Sequence, residues 1–134
     1  MMAGLARFAG PAHALLRIAA GLLMLPHGAQ KLFGVLGGMG GSGAAAAFPD
    51  LMWFGGIIEF FGALLVTLGL FTRPAAFLLS GMMLVAYFMA HAPQGGLPIQ
   101  NHGELALLYC FVFLFFATSG AGPWSVDGAR RKTV

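Results

Sequence analysis

Four apolar stretches, roughly residues 13–35, 51–71, 74–92 and 102–119, fill most of this chain. Each is about 18–23 residues long, the length a helix needs to cross the hydrocarbon core of a bilayer. They predict an all-α polytopic membrane protein, an antiparallel four-helix transmembrane bundle. Four helices with short connections leave room for one domain over residues 1–134. Ionisable groups inside such segments are costly in lipid, so the few present here become the functional question.

Composition agrees with a bilayer environment. Only 8% of the 134 residues are charged, against about a quarter in soluble domains. The mean hydropathy is +0.86. The net charge of +3 comes largely from Arg130, Arg131 and Lys132, with no basic stripe interleaved with aromatics, so nucleic acid is not expected as a partner. Cys110, the single cysteine, lies in the fourth apolar stretch and reads as an inert thiol. The first stretch exceeds the usual 7–15 residues of a signal-peptide core and continues into Pro26, His27, Gln30 and Lys31. It reads as a retained helix.

Basic residues set the expected orientation. With four spans both termini share a side, which would hold Arg7, Arg17, Arg73, Arg130, Arg131 and Lys132 and leave Lys31 alone on the other. Basic loops stay in the cytoplasm. The termini and the Thr72-Arg73-Pro74 turn are therefore expected there, with the loops near 34–50 and 92–101 outside. Residues 34–43 hold six glycines without the Gly-Lys-Ser/Thr that closes a phosphate loop. They read either as a flexible linker or as a lid over an outward cavity, followed by a short interfacial helix from Ala44 to Phe48.

The helix faces carry the remaining signal. Gly55, Glu59, Gly62, Val66 and Gly69 share one face of the second helix. Small residues there allow a neighbouring helix to approach closely. Arg17, Gly21, Met24, Gly28 and Lys31 follow the same spacing in the first helix, beside His27, so the two stripes are natural partners. Pro26 is expected to kink that helix. Ser80, Leu84, Tyr87 and His91 share a face of the third helix, and the fourth opens on Asn101, His102 and Glu104. At 1.5 Å per residue Glu59 lies about 12 Å below the outer surface. His27, Lys31, Glu59, His91, His102 and Glu104 can thus gather in the outer half of the bundle.

Each group has a plain and a sharper reading. Glu59 with His27 or Lys31 is either an interhelical ion pair that sets register or a proton relay and polar anchor for a quinone-like ligand. Arg17 reads as a snorkelling anchor, and Arg73 with Gly55, Gly62 and Gly69 as structural. No His-x-x-x-His or Cys-x-x-Cys pair is present, so no metal site is expected.

Several segments in order carry a family resemblance: Arg17 with Gly21, His27-Gly28 with Lys31-Leu32, Gly55-Gly56-Ile57-Ile58-Glu59, Thr72-Arg73-Pro74-Ala75-Ala76, His102-Gly103-Glu104-Leu105, and Gly120 through Asp127. The pattern resembles the DoxX family. That resemblance implies a small four-helix protein of the bacterial inner membrane. Relatives are linked to quinol oxidase or thiosulfate:quinone oxidoreductase complexes, or to a redox-defence assembly with a superoxide dismutase and a sulfurtransferase. The chain has no heme, flavin or iron–sulfur signature. The expectation is an accessory subunit of a membrane redox system that contacts quinone, with no covalent cofactor. Its partners would be the lipid bilayer, redox proteins and a second copy in a homo-oligomer. The alternatives are a small-solute or lipid-binding, transporter-like protein and a structural assembly factor.

Overall fold

The structure is a computed structural model that describes residues 2–133. Every regular element among them is helical: α1 Ala9–Phe33, α2 Leu51–Leu68, α3 Thr72–Ala86, α4 Pro98–Asn101, α5 Glu104–Ser119 and α6 Val126–Arg131. Three helical stretches are long and apolar enough to cross a membrane, namely Ala6–Phe33, Leu51–Leu68 and Thr72–Gln94. The third includes a π-helical turn at Tyr87–His91 and a 3₁₀ turn at Ala92–Gln94 that extend α3. The fourth apolar helix, α5, has only 16 residues, about 24 Å at the helical rise.

Five expected boundaries shift. α1 starts at Ala9 and ends where Gly34 turns left-handed, its N–H on the Gln30 carbonyl at 3.1 Å. It runs through Pro26 without interruption. α2 stops at Leu68, because Gly69 at φ +68° closes the helix with Gly69 N–H on Val66 O and Leu70 N–H on Leu65 O. α3 starts earlier than Pro74, at Thr72, since proline has no N–H to waste in a first turn. The fourth segment breaks at His102, φ +58°, and α5 begins at Glu104. The break is held by Asn101 Oδ1, which accepts from Gly103 N–H at 2.9 Å.

The expected helix over Ala44–Phe48 does not form, and residues 44–47 are irregular. Their backbone groups are committed elsewhere: Met39 N–H donates to Ala44 O and Ala46 N–H to Lys31 O. The glycine loop thereby folds back on the end of α1. At Gly38, φ +67°, a β-carbon would run into the backbone of Gly43 and Ala44, so only glycine fits this return.

Neighbouring helices run antiparallel. Gly21 meets Ala63 and Thr67, Gly28 meets Phe60 and Gly56 meets Lys31 across α1 and α2. Gly55 meets Met82 and Gly62 meets Leu79 across α2 and α3. Ser80 Oγ donates to Cys110 O at 2.7 Å across α3 and α5. The glycine stripe Gly55–Gly62–Gly69 is buried as expected, but it meets α1 only at its end. Gly55 and Gly62 face α3 and Gly69 faces Ser125 and the Arg17 side chain, while α1 packs on the adjacent line through Gly56 and Ala63. Glu59 sits where these two lines meet.

Met24, Val66, Leu79, Phe113 and Phe116 form the buried centre. The outside is equally apolar: Leu23, Phe77, Phe88, Leu108 and Phe111 are each more than half exposed. A helix surface apolar all round has hydrocarbon on its outer side rather than water.

Candidate functional site

Two polar assemblies occupy opposite poles of the molecule. The pole near the chain ends is built on Arg17. Its side chain is fully buried, and its guanidinium donates to the carbonyls of Ala121, Pro123 and Trp124, the last at 2.6 Å. His13 Nε2 lies 2.9 Å from Gly120 O on the same segment. The snorkelling expected of Arg17 is therefore replaced by a clamp. Guanidinium has a fixed fork of donors and no acceptor, which suits an irregular strand of carbonyls that no helix satisfies. Arg73 likewise donates to Ala117 O and Thr118 O at the end of α5.

Asp127 completes this pole. Its carboxylate accepts from Phe71 N–H and Thr72 N–H, both at 3.0 Å, so it caps α3 from a distant part of the chain. Partial burial opposes ionisation, yet the hydrogen bonds from Thr72 and Phe71 and the charge of Arg130 prevail and hold this carboxyl below its ordinary range.

The opposite pole holds a cavity of about 750 Å³ among α1, α2, α3 and α5. It lies within the usual range of small-ligand sites. Five of the chain's eight methionines line it: Met24, Met52, Met82, Met83 and Met89. Methionine gives an adaptable, polarisable wall. The cavity reaches the apolar outer surface between α2 and α3, where Phe54, Phe77, Leu78, Val85 and Met89 line it and remain exposed. A lipid-soluble molecule can reach it sideways.

Five of the six expected residues converge here: His27, Lys31, Glu59, His91 and His102 all line the cavity. Lys31 Nζ donates to Glu59 Oε1 at 2.5 Å, and Glu59 is only 2% exposed. Its second oxygen, Oε2, is buried with no protein donor in reach among the described residues. Glu104 is the exception. It is exposed in the first turn of α5 and does not line the cavity, because the break at His102 turns it away. No residue of the glycine loop 34–43 lines the cavity either.

His91 is fixed by a network that sequence reading missed. Asn101 is fully buried; its Nδ2 donates to Tyr87 Oη at 3.1 Å and Gly95 O at 3.0 Å. Its own carbonyl lies 3.0 Å from His91 Nδ1. A carbonyl only accepts, so Nδ1 carries the proton and Nε2 is the free ring nitrogen. The π-helical turn at Tyr87–His91 aims this histidine, a device common at functional sites. Among the described residues no three His, Cys, Asp or Glu side chains meet in a metal-binding group.

Apolar helices with an apolar outer surface define a small membrane protein, and its cavity is the candidate site. Residues 12–92 match the DoxX profile, and the chain belongs to the DoxX family. It is also 46% identical over 117 residues to an uncharacterized protein of Haemophilus influenzae, a match covering 85% of this chain and 87% of that one. No solved structure matches.

Proposed function

We infer that this chain is an accessory subunit of a membrane redox system and binds a quinone-class molecule in its apolar cavity. The carrying observation is the buried Lys31–Glu59 pair inside an otherwise apolar, laterally open cavity. A quinone-class ligand has an apolar tail suited to the bilayer and a small polar ring. The cavity supplies the counterpart: methionines and aromatics for the body, and Lys31, Glu59 and the three histidines for the head. The bound group supplies two-electron redox chemistry, while the residues of this chain hold and orient it. In this reading α1, α2, α3 and α5 form one four-helix antiparallel domain of the bacterial inner membrane. Both termini lie in the cytoplasm beside redox partners or a second copy.

The test is purification in mild detergent, mass spectrometry of bound molecules, and titration with a decyl-benzoquinone. His27→Ala removes a cavity-lining polar group. Gly81→Leu fills the groove at a point where an added β-carbon meets nothing within 4 Å, so the fold should tolerate it. Both variants should bind about tenfold more weakly, near 1.4 kcal/mol, at unchanged melting temperature. Absence of any quinone-class binding by the parent protein would remove this reading, and lipid found in its place would favour a lipid-binding role.

A further inference from the structure

We propose that the cavity selects the reduced, hydroxyl-bearing form of its ligand, with a hydroquinone O–H donated to Glu59 Oε2. This rests on the quinone-class reading above and adds a chemical preference to it.

Two residues that line the same space each carry an acceptor without a donor. The first is Glu59 Oε2. Glu59 is 2% exposed and lines the cavity; its other oxygen holds Lys31 Nζ, and Oε2 has no protein donor among the described residues. An ionised carboxylate can only accept hydrogen bonds. The second is His91 Nε2. With Nδ1 committed as donor to the Asn101 carbonyl, the neutral ring offers Nε2 as an acceptor, and it has no partner among the described residues.

An oxidised quinone brings only carbonyl oxygens. Set against Oε2, it would place two lone-pair-bearing oxygens face to face and leave both unsatisfied. A hydroquinone brings two hydroxyls, each able to donate to an acceptor on the protein. Lys31 does not discriminate, since its remaining protons can serve the oxygen of either form. The choice therefore falls to Glu59 and His91. Charge does not decide between the two forms, since both are neutral and the Lys31–Glu59 pair is neutral as a unit.

The experiment uses the full chain in detergent and three probes with one decyl tail: a 1,4-benzoquinone, its hydroquinone kept reduced without oxygen, and the dimethyl ether of that hydroquinone. The ether has nearly the same shape and no donor. Equilibrium dialysis should show the hydroquinone bound about tenfold or more tightly than either other probe, the effect of one good hydrogen bond. In Glu59→Gln, Lys31 keeps the amide oxygen and the amide N–H₂ takes the place of Oε2. Acceptor becomes donor at one of the two positions, and the preference for the hydroquinone should be lost. Equal binding of all three probes by the parent protein overturns donor selection and leaves the quinone-class site standing. A Glu59→Gln protein that keeps the parent preference overturns it too. Failure of every probe to bind overturns both. The parent comparison decides the matter without the variant, should that variant not fold.

Discussion

Glu59 shows how one residue can serve packing and chemistry together. It lies where the line of α2 that faces α1 meets the line that faces α3, and Lys31 reaches it from the last turn of α1. Removing one partner of a buried ion pair costs far more than the pair contributes, because the other charge is left without compensation. Glu59→Leu should therefore lower stability by about 2 kcal/mol or more, reduced from the fully buried case because Lys31 keeps 17% exposure. Glu59→Gln keeps an oxygen for Lys31 and should cost about 1 kcal/mol. Thermal unfolding in one detergent compares them. A Leu variant as stable as Gln would mean that the pair is not holding the helices. The meeting of Lys31 and Glu59 was legible in the sequence, because helical spacing and depth along antiparallel helices bring them level. The exclusion of His27 from the pair was not, since it depends on how α1 is turned about its axis against α2.

At the scale of elements, the tail holds the core helices in place. Asp127 lies 55 positions beyond Thr72, yet it caps α3, whose preceding residue Phe71 has no capping side chain of its own. Asp127→Ala should cost about 1 kcal/mol at pH 6, the usual effect of losing a cap. The sign of its pH dependence follows from the lowered folded value. The carboxylate stabilises the fold fully above the ordinary aspartate value of 3.8, and that contribution is lost as pH falls through the lower folded value. The gap between parent and variant should thus be full at pH 6 and shrink below about pH 4, as read from unfolding at both. A gap that stays constant with pH would mean Asp127 does not cap α3 as a carboxylate. Sequence periodicity could place the four apolar segments but not this cap, because a contact across 55 residues leaves no local spacing to read. The same holds for Arg17: the character of its helix suggests a bilayer anchor, and only the path of residues 121–124 beneath α1 supplies the carbonyls that bury it.

For the whole molecule, the poles are distinct: carbonyl-bound arginines and Asp127 near the chain ends, histidines and the Lys31–Glu59 pair away from them. From the asymmetry of basic residues we propose that the first pole lies on the cytoplasmic side. A cysteine at Ser42, in a background of Cys110→Ser, should be labelled from outside intact cells by an impermeant thiol reagent, and one at Thr133 should not. The reverse pattern would invert the protein and turn the cavity toward the cytoplasmic leaflet. Sequence alone determined that the chain is a helical membrane protein, where its apolar helices lie and which ionisable residues share a depth, since segment length and composition are set by the bilayer and by the helical rise. Tertiary structure alone decided that α2 turns Gly55 and Gly62 to α3 and Gly56 to α1, that Glu104 turns away at the His102 break, and that the glycine loop folds back on the end of α1. Those outcomes hang on how each helix is turned about its axis and on backbone hydrogen bonds between distant segments, and a linear pattern of residue types does not encode them.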